Sequence, residues 1–235
     1  MSTELEEWIE PHECIATAMV PNGVELRLVS HGDDFTIAMG DNDLMSTRVS
    51  GSEAALATMT SARLGRRPAS QWLIGGYGMG FTLRAALEVL DDDACVTVAE
   101  LVPEIIDWAR GPMQALTGNC LDDARVHLVG QDVCTLIGAA TAAYDAILLD
   151  VDNGPEGLSC RSNDYLYSAR GLADAWRALK ANGILAIWSA FGDARFFARL
   201  EACGFEVTEV SVMDGPKAGG DAHILWFARK CVAEN

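Results

Sequence analysis

Glycines and acids occupy a few positions of this chain where they could hold a small molecule. Gly76, Gly78 and Gly80 alternate in the segment WLIGGYGMGFTLRAALEVL, between an apolar run and an alanine- and leucine-rich stretch. Glycines at such a junction allow a tight turn and let a ligand lie against the backbone where the next helix starts. Glu100 follows 20 residues after Gly80, and a carboxylate there can accept hydrogen bonds from both hydroxyls of a ribose. The glycines alone fit an ordinary tight turn, but together with Glu100 they predict a nucleoside site.

A further acid bears on the identity of this ligand. Asp132 follows the next apolar run, RVHLVG. Its carboxylate could accept a hydrogen bond from an exocyclic adenine amine, or it could cap the helix that starts at VCTLIGAA. A dinucleotide cofactor would require the spacing GxGxxG, and the position of the third glycine is taken by Phe81. The spacing favours an S-adenosyl ligand, and a nicotinamide-dependent oxidoreductase remains a rival.

Two acids lie close together in the segment DVDNGP. Asp150 and Asp152 follow the apolar run YDAILL, and such a pair could orient an amine or hydroxyl group and accept its proton. The same residues also fit an Asx-type turn that leads into Gly154 and Pro155. This loop is the candidate catalytic segment.

The elements that must position these residues alternate between strand and helix patterns. Seven apolar strands are predicted from Gln71 onward, with helical segments between the first six. This alternation predicts an α/β fold with a doubly wound, mostly parallel seven-stranded sheet. The last two strands are joined by MDGPKAGGDA, which is too short for a helical crossover, so the last strand should be antiparallel. In such sheets ligands bind at the carboxyl ends of the strands, where the glycines and acids lie.

The chain divides into three predicted parts. Residues 1–49 read as short strands with turns and predict a small N-terminal β-meander. Residues 50–66 predict a connecting helix. Residues 67–235 form the predicted Rossmann-like domain that holds the S-adenosyl site.

Composition limits the classes of partner and the compartment. A formal net charge of −17 argues against nucleic acid, which needs a basic face; it fits a cationic small molecule or simply an acidic surface. The seven cysteines are scattered without a CxxC pair and the four histidines do not cluster, so we expect reduced thiols and no metal site. The first residues, MSTELEEWIE, lack the basic start and apolar run of a signal peptide, and we expect no stretch long enough to span a membrane. We therefore expect a cytoplasmic protein that binds neither nucleic acid nor membrane.

The motifs together resemble a known family over roughly Asp34 to Arg229. The main domain is similar to the class I S-adenosylmethionine-dependent methyltransferase fold, and more closely to its spermidine synthase branch. The segments that carry the resemblance are WLIGGYGMGFTLRAAL, VTVAELVPEIIDWAR, DARVHLVGQDV, YDAILLDVDNGP and LYSARGLADAWRALKANGILAIW. The resemblance implies an S-adenosyl site formed by Gly75, Gly76, Gly78, Gly80, Glu100, Leu101, Asp132, Val133 and Asp150.

The chain departs from the aminopropyltransferases of that branch at three places. Their glycine loop carries an aspartate that holds the ammonium group of decarboxylated S-adenosylmethionine, and the matching position here is Gly78. Their catalytic loop carries two aspartates three residues apart, and here the second position is Asn153, next to Asp152. Of their Tyr-His-Glu element near the polyamine, only the glutamate remains, as Glu53.

These departures favour methyl transfer. A glycine loop without an acid suits full S-adenosylmethionine, whose carboxylate could face backbone N–H groups at the helix start. We therefore expect a methyltransferase that acts on a small, possibly cationic amine or hydroxyl acceptor. Aminopropyl transfer from decarboxylated S-adenosylmethionine and a non-catalytic nucleoside-binding role remain open alternatives.

Residue roles follow from this expectation. The candidate catalytic residues are Asp150, Asp152 and Asn153. The meander could also pair two subunits, as in related aminopropyltransferases, so we expect a homodimer. The candidate acceptor contacts are Glu53, Glu156, Tyr165 and Trp188.

Overall fold

The amino-terminal strands form a small antiparallel sheet of their own. In the computed structural model, which describes residues 13–20, 23–40, 42–151, 154, 164–213 and 222–231, Leu26, Leu28 and Ile37 lie on the buried face of this sheet. Apolar residues alternate along its strands because one face packs on the rest of the protein. Its four strands pair in chain order: β1 (Glu13–Met19), β2 (Glu25–His31), β3 (Asp34–Met39) and β4 (Asn42–Ser46).

The predicted connecting helix follows directly. α1 (Gly51–Leu64) ends at Gly65, whose backbone N–H donates to the carbonyl of Ser61. Leu56 and Ala57 of this helix are fully buried. The helix thereby joins the small sheet to the core of the main domain.

A seven-stranded sheet forms the centre of the main domain. The strands lie in the order β10-β11-β9-β8-β5-β6-β7. β11 is antiparallel to both of its neighbours, whereas the other neighbouring pairs are parallel. This confirms the predicted fold class, including the antiparallel last strand and the N-terminal meander. The strands are β5 (Gln71–Gly75), β6 (Cys95–Ala99), β7 (Val126–Val129), β8 (Tyr144–Leu149), β9 (Leu179–Ser189), β10 (Glu206–Met213) and β11 (Ala222–Arg229).

Helices cover both faces of this sheet. Alternate residues of the central strands point to opposite faces, so that Ala146 and Leu148 of β8 pack in one apolar cluster and Ile147 and Leu149 in the other. Strands buried on both faces are nearly continuous in apolar residues. The helices of the main domain are α2 (Phe81–Val89), α3 (Pro103–Arg110), α4 (Gln114–Thr117), α5 (Val133–Ala139), α6 (Asp164–Tyr167), α7 (Ala169–Ala178) and α8 (Ala194–Ala202), with a 3₁₀ turn at Cys120–Asp122.

The strand order fixes where a ligand can enter. The chain continues from β5 toward β6 and β7 on one side, and from β8 toward β9 on the other, so the order reverses between β5 and β8. Gly75 and Leu149, the last residues of these two strands, are paired. Open α/β sheets bind ligands in the crevice beyond such a reversal. The glycine loop (residues 76–80) directly follows β5, and Asp150 directly follows β8, so both lie at this crevice.

The domain boundaries at residues 49 and 66 stay a prediction, because the meander, the helix and the sheet pack into shared apolar clusters.

Among the helices that the structure describes, none combines the length and the apolar character that a membrane crossing requires.

Candidate functional site

A cavity lies at the carboxyl ends of β5, β6 and β8, and the N-terminal sheet forms its opposite wall. This larger cavity is open to solvent and has an empty volume of about 890 Å³, which includes solvent space at its mouth. The sheet end contributes Gly76, Gly78, Ala99, Glu100, Leu101, Val102, Ile105, Gln131, Asp132, Val133, Asp150 and Val151. The apolar wall consists of Val20, Leu26, Ile37, Met39, Leu44 and Met45.

The contribution of the N-terminal sheet was not expected from the sequence, which suggested only subunit pairing for it. The alternation of Leu26 and Leu28 indicates an apolar face that must be covered, but the pattern does not say by which surface. The pairing of two subunits through this sheet stays a prediction.

A smaller cavity adjoins the larger one and has an empty volume of about 570 Å³, also counted with its open mouth. The residues lining both cavities are Leu44, Met45, Gly78, Asp150 and Val151. The residues lining only the smaller cavity are Glu53, Tyr77, Met79, Phe81 and Trp188. Asp150 therefore lies where two bound molecules would meet.

The glycine loop is pressed between the end of β8 and the N-terminal sheet. Gly76 has a φ of 81°, and a Cβ atom on it would lie 2.5 Å from the backbone oxygen of Asp150. Gly78 has a φ of 56°, and its Cβ would lie 2.9 Å from the sulfur of Met45. Both the left-handed conformation and the close contacts favour glycine at these positions.

Two of the predicted cofactor-binding glycines line neither cavity. Gly75 belongs to β5 and packs against Val133 and Leu149, while Gly80 precedes α2 and faces the ring of Tyr77. Both glycines therefore contact the protein interior beside the loop and do not face a cavity. Their sequence motif is the same as that of the lining glycines, so spacing alone could not separate the two groups.

The backbone N–H groups of the loop are largely used within the protein. The N–H of Gly76 donates to the carbonyl of Ala99 at 2.9 Å, and that of Gly80 to the carbonyl of Tyr77 at 2.8 Å. The N–H of Tyr77 donates to Oε2 of Glu100 at 3.0 Å. The expectation that these groups would receive the carboxylate of S-adenosylmethionine is therefore wrong for these three groups.

Glu100 has a structural role that the sequence did not reveal. Its Oε1 accepts a hydrogen bond from the N–H of Val102 at 2.8 Å, while Oε2 holds Tyr77 in the glycine loop. Burial raises the pKa of Glu100, although the backbone N–H groups of Val102 and Tyr77 oppose the shift. Glu100 lines the larger cavity next to the exposed Leu101. Its contact with a ribose stays a prediction.

Asp132 is the N-cap of α5. Its Oδ1 accepts a hydrogen bond from the N–H of Cys134 at 2.8 Å. The residue also lines the larger cavity together with Gln131 and Val133. The two interpretations of Asp132 from the sequence are thus compatible, because a capping carboxylate has further acceptor positions for a ligand.

Asp150 directly follows β8 and contacts the first turn of α2. Its Oδ2 accepts a hydrogen bond from the hydroxyl of Thr82 at 2.7 Å. Burial raises the pKa of Asp150 to about 6, and the Thr82 hydrogen bond opposes this shift. Thr82 was missed in the sequence because a threonine within an alanine- and leucine-rich helix carries no recognisable motif.

Two of the predicted acceptor contacts lie at the smaller cavity. Oε2 of Glu53 accepts a hydrogen bond from the hydroxyl of Ser52 at 2.8 Å. The same Ser52 oxygen accepts from Nε1 of Trp188 at 2.9 Å. The carboxylate of Glu53 and the ring of Trp188 are thus oriented through one serine.

One further predicted acceptor contact, Tyr165, lines neither cavity. Its hydroxyl donates a hydrogen bond to Asp174 instead. Asp152, Asn153 and Glu156 lie outside the described residues.

The charged side chains among the described residues that line the two cavities are all acidic. Among the described residues that line them, none is lysine, arginine or histidine. Buried charges of one sign are costly without a partner of opposite charge. The site is therefore suited to cationic ligands. Its four acids are Glu53, Glu100, Asp132 and Asp150.

Known proteins with similar sequences are polyamine aminopropyltransferases, although no family model matches the chain. Polyamine aminopropyltransferase 1 of Streptomyces coelicolor is 31% identical over 171 residues, which cover 67% of this chain and 30% of that protein. The polyamine aminopropyltransferase of Mycobacterium tuberculosis is 30% identical over 149 residues, covering 60% of this chain and 28% of the relative. The matched region thus spans less than a third of these curated relatives.

Solved structures with a similar fold include spermidine synthases. The enzyme from Thermotoga maritima superimposes with a TM-score of 0.74 at 18% identity, covering 94% of this chain and 74% of the other. A spermidine synthase in complex with the transition state analogue AdoDATO gives a TM-score of 0.73 at 18% identity, covering 94% and 73%. The chain therefore has a spermidine synthase-like fold and aminopropyltransferase homologues.

These findings correct the expected activity. The expectation of a methyltransferase that uses S-adenosylmethionine is wrong, since the homologues and structural neighbours are aminopropyltransferases. The physical reason lies in the cavity charges. The carboxylate of S-adenosylmethionine would lie among acids, and no described lining residue is basic.

The contact of Gly76 with the end of β8 leads to a first prediction. Gly76→Ala should lower the free energy of unfolding by about 2–4 kcal/mol, from a strained left-handed alanine and a clash with the Asp150 carbonyl. Gly23→Ala is the matched control, because Gly23 has a φ of 84° and its Cβ would meet nothing within 4 Å. This control should lose only about 1–2 kcal/mol. Urea unfolding measures both values, and equal losses would contradict the prediction.

The double acceptor role of Glu100 leads to a second prediction. In Glu100→Gln, one of the two backbone N–H groups faces an amide NH₂ and loses its acceptor. The free energy of unfolding should therefore be about 1–3 kcal/mol lower than in the wild type. Thermal unfolding measures this loss. Glu88→Gln, on the exposed side of α2, is the control and should keep the wild-type stability. A Glu100→Gln protein with wild-type stability would refute the structural role.

Proposed function

We propose that this chain transfers an aminopropyl group from decarboxylated S-adenosylmethionine to a small amine of the polyamine class. The observation that carries the proposal is the meeting of two cavities at Asp150, with acids and no basic side chain among the described lining residues. The names of the sequence relatives support the same reaction.

The larger cavity is the proposed site of the donor. Glu100 would accept hydrogen bonds from the ribose hydroxyls, and Asp132 would accept one from the adenine amine. The apolar wall from the N-terminal sheet would cover the nucleoside. Decarboxylated S-adenosylmethionine carries a sulfonium and an ammonium group but no carboxylate, so both of its charges are opposite to those of the cavity. Its binding therefore needs no basic residue.

The smaller cavity is the proposed site of the acceptor. A polyamine has ammonium groups separated by methylene chains. Glu53 and Asp150 would bind an ammonium group, and Leu44, Phe81 and Trp188 would pack against the methylenes. The formal net charge of −17 would also raise the local concentration of such cations near the site.

Asp150 is the proposed general base. The attacking nitrogen must first lose a proton, which the carboxylate of Asp150 would accept. The nitrogen lone pair then forms a bond to the aminopropyl carbon next to the sulfonium, and the carbon–sulfur bond breaks. The electron pair of that bond stays on sulfur, giving neutral methylthioadenosine and a lengthened polyamine. The enclosing walls would align the two molecules and limit the access of water.

Position 78 distinguishes this chain within the proposal. Without an acid there, the ammonium group of the donor would depend on Asp150 and Glu53 for a partner of opposite charge. We therefore expect weaker donor binding than an acid at this position would give. The same feature favours a second candidate, a nucleoside-binding protein without turnover.

The reaction itself is the third prediction. Purified protein incubated with decarboxylated S-adenosylmethionine and putrescine, cadaverine or spermidine should release methylthioadenosine, detected by mass spectrometry. Asp150→Asn should reduce this rate by about 10²-fold or more, since general bases contribute about 10²–10⁴-fold. Asp107→Asn, at an exposed position of α3, is the control and should retain the rate. Nucleoside binding without turnover with any amine would support the second candidate, and S-adenosylhomocysteine formed from S-adenosylmethionine would refute the proposed donor.

The raised pKa of Asp150 gives a fourth prediction, on stability. The pKa of about 6 in the folded state lies above the ordinary value of 3.8, so the folded state binds this proton more tightly than the unfolded state. The free energy of unfolding should therefore fall by about 1–2 kcal/mol through this group as the pH rises from 4 to 7. Asp150→Asn should remove that fall and, at pH 7 without ligand, raise the melting temperature by a few degrees. Melting curves from pH 4 to 8 test this, and parallel pH profiles of both proteins would contradict it.

A further inference from the structure

The hydroxyl group of Thr82 lies between two functional segments. Thr82 is on the first turn of α2 and its side chain is buried. Its Oγ1 is 2.7 Å from Oδ2 of Asp150 and 3.3 Å from the backbone oxygen of Glu53. One buried hydroxyl therefore connects the proposed base with the helix that presents Glu53 to the smaller cavity.

This hydroxyl has one proton and two acceptors. When Asp150 is ionised, the Thr82 hydroxyl donates to its carboxylate at the shorter distance. When Asp150 is protonated on Oδ2, the carboxyl group donates to Thr82 Oγ1, and the Thr82 proton can turn to the carbonyl of Glu53. Every donor of this group has an acceptor in both states.

The other titratable groups described around Asp150 are acids. Glu53 of α1 lines the smaller cavity with it, and Glu100 and Asp132 line the larger cavity with it. These are acids, and like charges disfavour ionisation. No basic side chain lines either cavity within the described ranges. The Thr82 hydroxyl is thus a donor placed directly on the ionised carboxylate.

We propose that Thr82 is a positioning residue that holds Asp150 in its ionised, proton-accepting form and transfers its hydrogen bond to the carbonyl of Glu53 once Asp150 has taken up a proton. This inference rests on the proposed function for its catalytic consequence. The hydrogen-bond exchange itself requires only Thr82, Asp150 and Glu53.

The test compares three variants at position 82. Thr82→Val keeps the shape of the side chain and removes the hydroxyl, Thr82→Ser keeps the hydroxyl, and Thr82→Ala serves if the valine variant does not fold. The protonation of Asp150 is followed by ¹³C NMR of aspartate-labelled protein, with the resonance assigned by its loss in Asp150→Asn. Removal of the hydroxyl should raise the titration midpoint of Asp150 by about one pH unit. Thr82→Ser should stay close to the wild type.

The pH profile of methylthioadenosine release is the second measurement. In Thr82→Val its acid limb should move upward by the same amount, so that the rate falls several-fold at pH 6 and recovers above pH 8. A titration midpoint of Asp150 that does not change when the hydroxyl is removed would overturn the inference, even if turnover is found. A midpoint that moves in a protein without aminopropyl transfer would support the inference and refute the proposed function.

Discussion

The close contact between the glycine loop and the end of β8 is the constraint on which the site depends. Because β5 and β8 are neighbours at the reversal of strand order, the segments that follow them must pass each other within van der Waals distance. Gly76 permits this approach to the carbonyl of Asp150. Glu100 then fixes the loop through the N–H of Tyr77. Three of the backbone N–H groups of the loop are therefore used within the protein, which favours recognition of a ligand by side chains.

The N-terminal sheet completes the site by a different physical effect. Its apolar face has to be buried, and it lies over the carboxyl ends of the strands of the main sheet. Met45 shows the fit most directly, because its sulfur occupies the space beside Gly78 where a side chain would otherwise lie. A side chain at position 78 and a large residue at position 45 compete for the same volume, so the two positions should be considered together.

The fold could be predicted from the sequence because its signals are local and repeated. Apolar runs alternating with helical patterns determine a doubly wound sheet, and the short link before β11 determines its antiparallel direction. The site was predictable where a residue lies at a strand end, as with Glu100, Asp132 and Asp150. It was not predictable where the decisive contact joins distant segments, as between Thr82 and Asp150 or between Met45 and Gly78. Spacing along the chain carries no information about such pairs.

The error about the donor has the same origin. Glycine in place of an acid at position 78 favours a donor with a carboxylate group only when the glycine loop is considered by itself. Donor preference depends instead on the sum of charges around the whole cavity, at distances where low polarity strengthens electrostatic interactions. Four acids without a basic partner among the described lining residues disfavour a carboxylate more strongly than one absent acid favours it. For the proposed function, glycine at position 78 would thus weaken the binding of a cationic donor without changing the sign of the charge that the site selects.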